Sequence, residues 1–195
     1  MKKKSIVAMI LLLAMTAGCG NSYKEYEKNV IKFEKDGGVT ETIREAFDES
    51  IYNKDDLVSS IEEELSTYNE EAGGEAVSME KCRVKNGEAV VEMQYDTSTD
   101  YAEFNHVAAY VGAMADFVET EYHAYADLKD TEGTEVPLNS IVASKETYYV
   151  AAVDRDCIVE VPGTICYVSS DTEIISKKAA NVTVGDEAYA YIVYK

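Results

Sequence analysis

The sequence predicts an α+β fold, in which two main α-helices pack on an antiparallel β-sheet and the C-terminal half is rich in strands. Three observations predict it. Apolar residues recur with a helical period over 55–72 and 100–118, and Asn86-Gly87 separates two alternating runs. After residue 147, five short apolar runs rich in Val, Ile and Tyr are separated by polar turns, which is typical of short strands.

Residues 1–18 have the three parts of an export signal. Three lysines at positions 2–4 precede an almost wholly apolar run over 6–15, and Thr16, Ala17 and Gly18 supply small residues before Cys19. The apolar run has about ten residues, whereas a membrane-spanning helix needs about 20. We therefore expect a segment that is removed on export.

Ala17-Gly18-Cys19 resembles a lipobox, in which the cysteine thiol receives a diacylglyceryl group and becomes the new N-terminus. The lipobox usually has Leu where this chain has Thr16. The alternative is ordinary secretion with cleavage near the same position, but secretion alone does not need Cys19. We expect lipidation of Cys19, so the predicted partner is the membrane and the predicted location is its outer face.

The predicted signal contains three lysines and no acidic residue, so its removal changes the net charge from −19 to −22. Such a charge argues against a nucleic-acid partner and against electrostatic adhesion to an anionic lipid surface. It favours a solvated, soluble surface. The polar residues 19–29 are predicted to be the lipidated N-terminus and tether of a single domain over 30–195.

The domain begins with a predicted strand, turn and strand. Apolar residues at 30–33 precede Asp36-Gly37-Gly38, and residues 39–47 alternate, although a helix over 42–47 is an alternative. The following segment, 55–72, has a capping residue in Asn53 and ends at Gly73-Gly74. Its apolar stripe is formed by Leu57, Ile61, Leu65 and Tyr68.

Asn86-Gly87 predicts a two-residue hairpin turn, because both residues tolerate a positive φ. We therefore expect Cys82 to be a small core residue rather than a reactive thiol. The resulting register places small or apolar residues on one face of the hairpin, namely Cys82, Val84, Ala89, Val91 and Met93. The opposite face carries the charged residues Lys81, Arg83, Glu88 and Glu92.

The second helix is predicted over 100–118. Asp100-x-x-Glu103 resembles a capping box, and the predicted buried face contains Phe104, Ala108, Val111, Ala115 and Val118. Strands are predicted over 148–153, 157–161, 165–168, 182–184 and 188–194, with Pro162-Gly163 as a tight turn between two of them.

That turn would place Cys157 and Cys166 on the same side of a hairpin. Two small buried residues are favoured there over a strained disulfide.

The sequence contains no catalytic constellation. His106 and His123 do not form a zinc motif, and no glycine-rich phosphate loop is present. Asp96 to Asp100 has the spacing of calcium ligands, but Tyr101 and Val107 occupy the positions where an EF-hand needs Gly and Glu. Helix capping explains those residues better. We predict no catalytic residue, no metal and no cofactor.

Tyrosine is the one unusually abundant residue type, with 15 in the chain. Tyr189 and Tyr191 share a face of the last predicted strand, so they are candidate ligand-facing aromatics that could stack on a sugar or a peptide. The alternative is that both pack in the core, since tyrosine is an ordinary strand former. Packing is the favoured interpretation.

Five segments of the chain are similar to uncharacterised surface lipoproteins of anaerobic clostridial bacteria. The segments are Ile51-Tyr52, Tyr68-Asn69, residues 101–105, residues 161–165 and residues 189–194. The resemblance implies a location and no chemistry. We therefore predict a non-enzymatic binding or envelope-associated module, whose partner is another envelope protein or a glycan. The alternative is an extracytoplasmic hydrolase that uses dispersed carboxylates.

Overall fold

The computed structural model describes residues 26–120, 127–144, 146–184 and 189–195, and within these ranges the chain forms thirteen strands and four helices. The predicted signal, Cys19, residues 20–25 of the tether, His123 and the beginning of the last predicted strand at Ala188 lie outside the described residues. No helix within the described ranges is both long and apolar enough to cross a membrane.

Seven strands form the first sheet. Every neighbouring pair in it is antiparallel except β1 and β9, which are parallel. In spatial order the strands are β11 (Glu173–Ile174), β12 (Ala179–Val182), β9 (Cys157–Glu160), β1 (Val30–Phe33), β2 (Val39–Ala46), β4 (Glu88–Tyr95) and β3 (Val77–Lys85).

Six strands form the second sheet, in which every neighbouring pair is antiparallel. In spatial order they are β5 (Ala109–Ala113), β8 (Tyr149–Val153), β13 (Ala190–Tyr194), β10 (Ile165–Ser169), β6 (Asp127–Asp130) and β7 (Glu135–Pro137). The helices are α1 (Lys54–Ala72), α2 (Ser98–Asn105), α3 (Met114–Phe117) and α4 (Leu138–Val142). The predicted α+β class is confirmed, with two sheets in place of one.

The second sheet has apolar cores on both faces. One core joins it to the first sheet and to α1, through residues such as Ile31, Leu65 and Ile192. The other lies beneath α3 and α4 and contains Phe117 and Ile141. Strand β13 is buried throughout because its two faces line different cores, which explains why its sequence is apolar without alternation.

The first helix and the hairpin agree with their predictions. Asn53 caps α1 by accepting a hydrogen bond from the Asp55 N–H at 2.8 Å, and Gly73 ends the helix with a φ of 76°. In the hairpin, Asn86 has a φ of 58° and Gly87 has a φ of 80°, as the predicted turn requires. Cys82 is opposite Val91 and packs against the core while remaining partly exposed.

The second predicted helix is wrong in extent, because α2 ends at Asn105 and the chain turns into β5. His106 adopts a left-handed φ of 55°, and its N–H donates to the Glu103 carbonyl. The Val107 N–H donates to the Ala102 carbonyl, which completes a Schellman motif. The helix also begins earlier than predicted, with Thr97 as the cap in place of Asp100.

The Pro162-Gly163 turn does not form a hairpin, since β9 belongs to the first sheet and β10 to the second. The turn carries the chain from the first sheet to the second. Gly163 is required there, because a Cβ on it would overlap the Lys195 carbonyl oxygen. Cys157 and Cys166 consequently lie in different sheets as free thiols, with Cys157 buried and Cys166 only partly so.

Candidate functional site

A groove of about 590 Å³ lies between α2 and β5. One wall is the exposed face of the helix, and the other is the beginning of the edge strand. Its lining residues are Ser98, Thr99, Ala102, Glu103, His106, Val107, Ala108, Ala109, Tyr110, Val111, Asp154 and Tyr189. The groove thus combines small and apolar walls with a few polar groups, as ligand sites do.

Local sequence positions the helical wall of this groove. Thr97 begins α2 by accepting a hydrogen bond from the Asp100 N–H at 3.1 Å. The helical period then places Ser98 and Ala102 on one side of the helix, toward the groove, and the left-handed cap His106 also lines it. The Schellman motif at His106 reverses the chain, so β5 returns beside the helix that precedes it.

Asp154 lines the groove and holds the backbone just before β5. Its Oδ2 accepts a hydrogen bond from the Ala108 N–H at 2.8 Å. Its Oδ1 has no hydrogen-bond partner among the described residues, although it lies 3.5 Å from Nε of Arg155. Asp154 therefore fixes the entry of the chain into β5 and presents a negative charge that Arg155 partly balances.

A second polar cluster lies behind the groove, in the core. Glu41 is 3% exposed and accepts hydrogen bonds from the hydroxyl of Tyr95 at 3.0 Å and the hydroxyl of Tyr101 at 3.4 Å. Nδ2 of Asn105 donates to the Tyr95 hydroxyl at 3.0 Å. The cluster thus ties the end of α2 to the first sheet.

Burial raises the pKa of Glu41 above its ordinary value, because desolvation disfavours the charged carboxylate. The Tyr95 hydrogen bond, the positive charge of Arg155 and the Tyr101 hydrogen bond lower the pKa, but by less than burial raises it. Desolvation and the nearby carboxylate raise the pKa of both tyrosines. Glu41 is therefore a buried acid that has structural partners and no open path to a substrate.

The two tyrosines proposed as ligand-facing occupy different environments. Tyr191 is 2% exposed and packs edge-to-face on Phe117, with 5.7 Å between ring centroids, so it is a core residue. Tyr189 is partly exposed and lines the groove. His106 is exposed at the groove, a position that follows from its role in ending α2.

Within the described ranges, no three His, Cys, Asp or Glu side chains are grouped closely enough to hold a metal ion. Asp100, from the segment with calcium-like spacing, instead pairs with Thr97 at the start of α2.

Sequence reasoning missed the groove, because the predicted long helix would have hidden β5. It also missed Glu41. Val39, Glu41 and Ile43 lie on the same face of the strand, so a glutamate between two apolar residues could have indicated a buried carboxylate.

No protein-family model, no curated protein and no solved structure matches this chain. The geometry of the site and the sequence of the N-terminus are thus the basis for a functional proposal.

Proposed function

We propose that this chain is a lipid-anchored lipoprotein on the outer face of the cell membrane, and that its domain is a non-enzymatic module that binds a ligand in the α2–β5 groove. The observation that carries the proposal is the groove itself. Its volume of about 590 Å³ falls within the range of small-molecule sites, about 300–1,000 Å³. Thr16, Ala17, Gly18 and Cys19 support the anchor.

The carboxylates near the groove support binding over hydrolysis, because each already has a structural partner. Glu41 is enclosed by two tyrosine hydroxyls, and Asp154 holds the Ala108 N–H. Glu103 accepts a hydrogen bond from the Tyr68 hydroxyl at 3.3 Å. Glu41, whose raised pKa would suit general acid catalysis, is buried in the core and does not line the groove.

The chain contains no tryptophan, so a single introduced one reports on the groove without background. Thr99 is exposed and lines the groove, which makes Thr99→Trp a suitable reporter in the full-length chain held in detergent micelles. Glu62→Trp, on an exposed position of α1, is the matched control. The probes are a panel of short synthetic peptides and a panel of cell-wall oligosaccharides.

We expect at least one probe class to change the emission of the Thr99→Trp chain saturably and to leave the Glu62→Trp chain unchanged. Equal responses from both chains would indicate non-specific association. If neither panel changes the Thr99→Trp emission, the groove does not bind these ligand classes and the proposal is wrong.

A further inference from the structure

Within the described ranges the two sheets end in four edge strands, and three of these are protected against pairing with another chain. β3 carries charged side chains and a register irregularity between Met79 and Lys81. β7 has three residues and contains Pro137, and β11 has only two residues. Charges, irregular register, proline and short length are the usual ways in which edge strands avoid added partners.

The fourth edge strand, β5, has none of these four protections, and α2 lies beside it across the groove. Its sequence, Ala-Tyr-Val-Gly-Ala, contains no charge and no proline, and it pairs with β8 in a regular register over all five residues. All of its residues except Ala109 are partly exposed. Such a strand is a template for the addition of another strand.

The register shows which backbone groups of β5 face the groove. The Met114 N–H donates to the Tyr148 carbonyl at 2.9 Å, just past the end of β5. In an antiparallel pair every second residue makes the backbone bonds, so Gly112 and Tyr110 bond to β8 and the residues between them do not. The N–H and C=O groups of Ala109 and Val111 therefore point away from β8. Both residues line the groove, and within the described part of the chain no other strand pairs with this edge.

The two carboxylates that line the groove give it a negative charge, which Arg155 partly balances beside Asp154. Residues 96–120 contain five carboxylates, one histidine and no lysine or arginine. Glu103 and Asp154 line the groove itself. A second copy of this acidic chain would be repelled at this edge, whereas an extended segment with lysine or arginine side chains has the complementary charge.

We infer that the α2–β5 groove takes an extended, basic polypeptide segment, which adds to β5 as a further strand. This inference rests on the proposed function, since it names the ligand class of the same groove. Backbone bonds to Val111 would hold the segment, and its basic side chains would face Glu103 and Asp154, while Ala109, which is only 6% exposed, forms part of the groove wall. The side chains of Tyr189 and His106 would flank the bound strand.

Val111→Pro tests the strand addition. Proline removes the outward N–H and places its ring at the edge, while the hydrogen bonds between β5 and β8 do not use that N–H. Val111→Thr is the matched control, because it keeps both the N–H and a β-branched side chain. The probe is an eight-residue peptide that alternates lysine and valine, titrated against the full-length chain in detergent micelles and followed by calorimetry.

We expect saturable binding that weakens with added salt, a loss of about tenfold or more in Val111→Pro, and a Kd within about threefold of wild type in Val111→Thr. The same peptide methylated at its central backbone nitrogens keeps its charge but cannot pair, so its binding to wild type should fall comparably. This second measurement does not depend on whether Val111→Pro folds. An equivalent peptide with glutamate in place of lysine should not bind.

Ala102→Trp, which fills the groove from the helix side, separates the two proposals. Equal binding of the methylated and unmethylated peptides, with loss in Ala102→Trp, would overturn strand addition and leave the groove as a binding site. Binding unaffected by Ala102→Trp and Val111→Pro would contradict both proposals. No binding of the basic peptide, or a dimer abolished by Val111→Pro, would overturn the inference of a basic peptide partner.

Discussion

Glu41 is a buried carboxylate that attaches α2, one wall of the groove, to the first sheet. Its position opposite Met93 on β2 faces the interior, where an apolar residue would be expected from the alternation of Val39 and Ile43. The hydroxyls of Tyr95 and Tyr101 satisfy its oxygens, and Arg155 supplies a nearby positive charge. Because α2 contributes Tyr101 to this cluster, the state of Glu41 bears on the helix that forms one wall of the groove.

The raised pKa of Glu41 gives the stability of the fold a definite pH dependence. In the unfolded chain the carboxyl titrates near its ordinary value of 4.5, whereas the folded state retains the proton to higher pH. The free energy of unfolding contributed by this residue therefore falls as pH rises from that value through the raised pKa. Glu41→Gln removes this component, so we expect its stability relative to wild type to increase with pH. Urea unfolding across this pH range measures the difference.

Two variants make the Glu41 prediction specific. Glu62→Gln removes a carboxylate from an exposed position and should retain the wild-type pH profile. Tyr95→Phe leaves Glu41 and Asn105 each short of a buried hydrogen bond, which should cost about 1–3 kcal/mol. Parallel pH profiles for Glu41→Gln and wild type would show that Glu41 is not the titrating group.

The β3–β4 hairpin is the element whose geometry depends most directly on one glycine. Gly87 has a φ of 80°, and a Cβ there would meet only the Phe47 carbonyl oxygen, at 3.9 Å. Space is thus available, but a β-branched residue strongly disfavours that φ. We expect Gly87→Val to cost about 1–2 kcal/mol in the free energy of unfolding, measured by denaturant melts.

Gly74→Val is the matched control for the hairpin. A Cβ on Gly74 has no atom within 4 Å, and Gly74 is not among the glycines with a positive φ. Its substitution should therefore change the free energy of unfolding much less than Gly87→Val. Equal losses in the two variants would show that adding a side chain, rather than the left-handed backbone, causes the effect.

Elements defined by local chemistry could be predicted from the sequence, and elements defined by long-range pairing could not. Asn53, Asn86 and Gly87 determine a cap and a turn within a few residues, and both were predictable. The end of α2 was not, because His106 rather than glycine occupies the left-handed position.

Both the edge strand and the separation of β9 from β10 depend on partners distant in sequence. β5 becomes a strand by pairing with β8, about 40 residues away in sequence. Similarly, β9 pairs with β1 and β12, while β10 pairs with β13 and β6. Of the two candidate tyrosines, Tyr189 lines the groove and Tyr191 does not, and the groove itself required the tertiary structure.

At the scale of the whole molecule, the acidic charge of the chain bears on which partners can approach it. The net charge of −19 keeps copies of the chain apart, which protects the open edge of β5 from edge-to-edge association. The same charge would attract a basic segment from solution or from a neighbouring envelope protein. A lipid anchor would raise the local concentration of the groove at the membrane for such partners.

The anchor can be tested by counting thiols in the whole chain, which has four cysteines. If Cys19 is lipidated, its sulfur is a thioether, so denatured protein from the native membrane should react at Cys82, Cys157 and Cys166 only. Before denaturation, Cys157 should stay unreactive, because it is 0% exposed and burial raises the pKa of its thiol. Cys19→Ala should keep the same three thiols, and the protein should move from the detergent phase to the aqueous phase. Four reactive thiols in the membrane-derived protein, or unchanged partitioning of Cys19→Ala, would mean that the lipid is not on Cys19.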